Sequence, residues 1–242
     1  GQPFFMFQDY LMENGRRYNV SLMKMYVSNV RLVREDGSEL PVKDVHLFDF
    51  SDNHISTLKT NKTTHGEGEY FIEEVPEGNY LGIRFGLGVP ADLNGPPAQR
   101  PTQYAAEHPL SNIQGTFWDW NTGWRFFMME GQVDTASPAG SQTSPQPTRN
   151  YTYHTGTDTL YREFEFVESR HHFTTEQGKE LQFVLELDLN SLFIQPGDTL
   201  DIAQDSVTHT SAEDYWIAEK ITNNFANSFF AYTELSVNPR GE

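Results

Sequence analysis

Between residues 18 and 34 apolar side chains recur at every second position, but the frame changes twice. Val20 and Leu22 fall on even positions, Met23, Met25 and Val27 on odd ones, and Val30 and Leu32 on even ones again. A period of two marks a strand with one buried face, and a frame change inside it is what one extra, bulged residue produces. The pattern predicts a long strand, or two separated by a bulge, then a turn at Asp36-Gly37 and a return strand over 40–50. Short strands are expected at 69–75 and 79–87, on either side of the turn Pro76-Glu77-Gly78. Others follow at 124–130, 162–168 and 181–189, the last with Leu181, Phe183, Leu185, Leu187 and Leu189 on one face.

Only one segment has a convincing helical period. Thr210-Ser211-Ala212-Glu213 has the form of a capping box, and Ile217, Ile221, Phe225 and Phe229 follow at helical spacing. Residues 90–115 are proline-rich and aperiodic and read as a long ordered loop, a place where function often resides. Residues 134–150 are of low complexity and read as a mobile hairpin insertion rather than a linker. Closely spaced strands with Gly/Pro punctuation and no internal repeat predict an all-β fold. The expected architecture is one β-sandwich domain over 1–242, with long loops and one α-helix late in the chain.

Charge and composition narrow the function. A formal net charge of −17 argues against nucleic acid and against anionic membrane surfaces, and favours cations. Cysteine is absent, which removes disulfides, thiolate metal sites and a cysteine nucleophile. No apolar run is long enough to span a membrane as a helix. The opening GQPFFMF has neither a basic region nor a cleavage site, so any signal peptide is expected to have been removed.

Catalytic patterns are scarce. There is no Gly-x-Ser-x-Gly elbow and no His-Glu-x-x-His pair, so a non-catalytic protein is expected. The histidines are 46, 54, 65, 108, 154, 171, 172 and 209; the adjacent pair His171-His172 would point to opposite faces of a strand. A metal site must therefore be assembled from distant segments. His154 stands beside the turn residue Gly156, His209 precedes the expected helix, and His108 ends the proline-rich loop ten residues before Trp118. Three such imidazoles would suit copper or zinc.

Three of the four tryptophans lie within TFWDWNTGWRFF. Trp118 and Trp120 are at i and i+2 and share a face on an extended backbone, and Trp124 opens the next strand after a turn. Same-face indoles can fill a core, offer a flat platform to a sugar or a protein, with Asp119 and Trp124 adding to that surface, or stand beside a metal.

Several segments, in order along the chain, resemble the MbnP-like family, exported bacterial proteins with copper-binding members in methanotrophs. They are YVSNVRL (26–32) with Asp36-Gly37, IRFGLGVP (83–90) with Leu93-Asn94, Pro109-Leu110, FWDWNTGW (117–124), Glu130-Gly131, HTG (154–156) and the segment 221–230. The resemblance implies a β-sandwich of the periplasm or cell surface, with a lipid anchor left open. It also implies copper held by two histidines and a kynurenine made by oxidising a tryptophan, with a di-haem peroxidase of the MauG/MbnH type as partner. Carried onto this sequence, His154 and His209 would be the ligands, His108 a further one, and Trp118 or Trp120 the modified residue. A glycan- or protein-binding surface built on Trp118 and Trp120 is the alternative.

Overall fold

In the computed structural model, which describes residues 4–51, 68, 70–94, 101–118, 123–136, 139 and 146–235, the alternating segments become strands of a large curled sheet. The first seven strands are β1 (Tyr10–Leu11), β2 (Arg17–Arg34), β3 (Glu39–Asp49), β4 (Gly78–Leu87), β5 (Phe117–Trp118), β6 (Gly123–Val133) and β7 (Arg149–Gly156). The remainder are β8 (Arg162–Phe166), β9 (Phe173–Thr175), β10 (Leu181–Leu187), β11 (Ile194–Gln195), β12 (Asp198–Thr199), β13 (Val207–Thr208) and β14 (Phe229–Leu235).

The main path runs β13-β7-β6-β2-β4-β8, with β1 and β3 also on β2, β5 on β6 and β9 on β4. β2 organises it. Its first half, Tyr18 to Met25, pairs with β6; its second half, from Val27 to Arg34, pairs with β4 along the same edge, while β3 takes the other edge. A strand that changes partner midway lets one sheet curl into two facing layers. The register slips between Val20 and Leu22 and again around Asn29, which has a positive φ of 48°. These correspond to the two frame changes of the sequence: after the first, Leu22 stands opposite Glu130 and Met23 opposite the buried Met129, and after the second Val30 packs against the core.

The principal core lies between the layers. Tyr18, Val20, Met23 and Met25 of β2, Ile83 and Phe85 of β4, Phe127 and Met129 of β6 and Tyr151 and Tyr153 of β7 are all buried in it. The two-stranded antiparallel sheet of β10 and β14 closes it together with the helix α1 (Tyr215–Asn224), which contributes Ile217 and Ile221, and with Phe225 just beyond the helix. A second apolar cluster packs separately, formed by Tyr26, Val45, Leu47, Val89, Leu110, Trp124 and Phe126.

Two expectations need correction. Residues 70–75 form no strand; Tyr70 instead packs its ring on His46, centroids 4.6 Å apart, with Lys43 Nζ 4.8 Å above it. Extended backbone without a neighbouring edge makes no ladder. The helix also starts later than the capping-box motif suggests. Thr210 has a positive φ of 58° and donates its hydroxyl to the His154 carbonyl, and Asp214 is the N-cap. At the other end the helix tightens into a 3-10 turn at Phe225–Asn227, and Phe229 already belongs to β14. Residues 137–138 and 140–145 of the 134–150 insertion lie outside the described residues; its flanks join the antiparallel neighbours β6 and β7, as a hairpin connection must.

Candidate functional site

On β6 and β7 the residues not used for the core face outward. The register pairs Met128 with His154, Glu130 with Thr152 and Gln132 with Asn150. An irregularity between Arg125 and Phe127 shifts the parity, so Arg125, opposite Gly156, joins the same face. That face therefore carries, in order along β7, Gly156, His154, Thr152 and Asn150.

His209 reaches His154 because β13 runs parallel to β7, Thr208 opposite Tyr153, and the chain then turns back over the sheet. Asp214 fixes that turn: its carboxylate accepts from the Thr208 hydroxyl at 2.8 Å, the Ser211 amide at 2.8 Å and the His209 amide at 3.3 Å. Thr210 adds its hydroxyl bond to the His154 carbonyl at 2.9 Å. The two imidazoles meet at Nδ1–Nδ1 3.2 Å, with ring centroids 5.0 Å apart and planes at 50°. His154 is 6% exposed.

Glu130 anchors the pair from the far side. Its Oε1 lies 2.8 Å from His154 Nε2. A carboxylate only accepts, so in the neutral ring the proton sits on Nε2 and Nδ1 keeps its lone pair toward His209. The bond from His154 holds the Glu130 carboxyl below its ordinary range against the opposing effect of burial. Burial, then the neighbouring His154, depresses the pKa of His209. Both effects favour neutral imidazole on His209, the form that ligates metals.

Trp118 lies one step further along the same face. It is 1% exposed, and a methyl group placed on Gly156 would come within 2.6 Å of its Cζ3. The Arg125 guanidinium lies over the indole at 5.5 Å from the ring centroid. Successive same-face positions on a strand are about 7 Å apart, so the indole packs one such step from the His154 backbone.

His108 is elsewhere. Its Nδ1 accepts the Leu110 amide at 3.0 Å, its ring stacks on Tyr104 at 4.3 Å, and its pKa is depressed by burial and by Lys43. Among the described residues it makes no contact with the His154–His209 pair. Trp124, expected on a binding surface, is 1% exposed in the second apolar cluster and presents no indole face to a partner. Asp119 and Trp120 lie outside the described residues. Among the described residues no three His, Asp or Glu side chains converge as a metal cage, so the site offers two imidazoles and not a closed shell.

Asp214 and Arg125 are not singled out by the sequence pattern; Glu130 enters there only within the resembling segment Glu130-Gly131, and Met128 reads as a core residue of its strand rather than as a thioether ligand. The i, i+2 spacing of Met128 and Glu130 was the available signal for those two. Arg125 depended on the bulge, and Asp214 on a cap displaced from the expected one.

A curled β-sandwich bearing a carboxylate-anchored histidine pair on its outer face defines the class of protein. The MbnP family profile matches residues 1–211, and the chain belongs to that family. Membership points to an exported protein, and no helix among the described residues is long and apolar enough to cross a membrane, which says nothing of strands. A solved structure, MbnP from Methylosinus trichosporium, is similar at 20% identity with a TM-score of 0.46, covering 79% of this chain and 73% of that one. No curated protein matches.

Proposed function

We propose that this is a non-catalytic metal-binding protein of the periplasm or cell surface, taking copper at His154 and His209. The observation that carries the reading is the Nδ1–Nδ1 separation of 3.2 Å. Two imidazole nitrogens each about 2.0–2.1 Å from one ion at the tetrahedral angle stand about 3.3 Å apart. The pair is thus spaced for a shared ion, and Glu130 is the kind of outer carboxylate that orients a ligating histidine. His209 Nδ1 would give up its hydrogen bond to His154 and carry its proton on Nε2.

Two imidazoles leave other positions to be filled. Met128, opposite His154 on the same face, brings a thioether near, and soft donors favour Cu(I). An oxidised Trp118 is the other source. Opening the pyrrole ring to kynurenine leaves an aniline nitrogen and a ketone, donors that the indole N–H lacks. Its packing on Gly156, beside His154, supports Trp118 as the modified residue, with a di-haem peroxidase as the partner that oxidises it. A sugar platform on Trp118 and Trp120 loses support, because Trp118 is buried.

Intact mass and metal analysis of protein purified from its native host tests the reading. Copper near one per chain, lost in His154→Ala, supports it. Absence of copper after loading contradicts it. An unmodified mass with copper bound would remove the kynurenine and keep the histidine site.

A further inference from the structure

Beyond Glu130 the outer face of β6 and β7 stays polar and becomes concave. A cleft of about 380 Å³ opens there, lined by Asn19, Ser21, Glu130, Gln132 and Asn150, with Phe7 at its edge. Its size falls at the lower end of the range for small-molecule sites, about 300–1,000 Å³.

The lining is chemically unusual for a chain of this charge. It holds three carboxamides, the hydroxyls of Ser21 and Thr152 and one carboxylate, and no basic residue. The carboxamides are held in place by one another and by the strands. Asn19 Oδ1 accepts the Gln132 amide at 3.1 Å while its Nδ2 donates to Asp9 at 3.0 Å, and Gln132 Nε2 donates to Asn150 Oδ1 at 3.2 Å. With that bond made, the Gln132 Oε1 acceptor and the Asn150 Nδ2 donor remain on two residues that line the cleft.

Phe7 has a positive φ of 65°, a conformation that costs a bulky residue about 1–3 kcal/mol. Its amide donates to the Val20 carbonyl at 2.8 Å, which pins the turn to β2. The ring is nevertheless 50% exposed.

We propose that this cleft binds a neutral pyranoside, a sugar ring of a glycan. Neighbouring hydroxyls of a sugar both donate and accept, which matches alternating carboxamide donors and acceptors, and the apolar C–H face of the ring suits a phenyl group. A carboxylate with no basic residue disfavours an acidic sugar or a phosphate. The site is independent of any metal, although Glu130 belongs both to the cleft and to the histidine pair.

Saturation-transfer NMR on metal-free protein, with methyl glycosides of glucose, mannose and galactose, tests this. At least one should receive saturation at millimolar affinity. The variants Gln132→Ala, Asn150→Ala and Phe7→Ala should each weaken it about 3–10-fold, the worth of one neutral contact. Wild-type 15N spectra give a second readout, since the carboxamide signals of Asn19, Gln132 and Asn150 must move on binding. No transfer from any of the three glycosides overturns the proposal. So does binding that survives all three substitutions, or binding of glucuronic acid at equal strength.

Discussion

The two faces of β6 and β7 divide the labour of the molecule. Alternate residues of the same two strands do opposite things: Phe127, Met129, Tyr151 and Tyr153 are buried in the principal core, while Met128, Glu130, Thr152 and His154 line the outer face. The inner set works mainly by filling volume, with the Tyr151 and Tyr153 hydroxyls each tied to one backbone carbonyl, of Asn19 and Asp205. The outer set does not, because its value lies in where particular nitrogen and oxygen atoms stand. Stability and chemistry are therefore separable by a shift of one residue along the chain.

That separation predicts a graded series of effects. Phe127→Ala, at a fully buried position, should cost about 3–5 kcal/mol in chemical denaturation. Gly156→Ala tests the junction of the two faces. Its methyl would press on Trp118 and on the Trp124 carbonyl, so a loss of about 1–3 kcal/mol and a change in tryptophan fluorescence are expected. If the variant is as stable as the wild type, Trp118 does not pack where described.

A titratable group placed among apolar rings probes the same contrast by pH. His46 packs against Phe48, its Nε2 finds no partner among the described residues, and burial followed by Lys43 pushes its pKa from 6.5 down to about 4. The unfolded chain then binds a proton that the folded chain refuses. His46 accordingly has no effect above pH 6.5 and destabilises progressively as pH falls toward about 4, with no further loss below. His46→Phe should flatten the stability profile across that window; an unchanged profile would place the acid sensitivity elsewhere.

Outer-face changes should scarcely affect folding. Glu130→Gln should keep stability within about 1 kcal/mol yet lower metal affinity about 10–100-fold, the usual cost of losing the outer partner of a ligating histidine. Gln132→Ala should move stability by no more than about 0.5 kcal/mol, read by thermal unfolding.

Much of the fold was legible in sequence because one buried face imposes a period of two, and the bulges of β2 announced themselves as frame changes. The half-truths arose where tertiary contacts override local pattern. Thr210 looks like a helix cap, but its hydroxyl is engaged by His154 across the sheet, and Phe229 continues a helical spacing into a strand. His154 and His209 could be nominated by their settings, yet nothing in their spacing announces that β13 lies parallel to β7. Their meeting is a fact of topology. The segment at 70–75 shows the converse error, a β-prone run whose rings found a surface and whose backbone found no edge.

The central claim is that one outer face presents two imidazole nitrogens spaced for a shared ion. The most direct test is a Cu(I) competition titration of the wild type beside His154→Ala and His209→Ala, with circular dichroism to establish that all three are folded. One tight equivalent in the wild type, lost in both folded variants, is the predicted result. Equal copper affinity in all three proteins would contradict it.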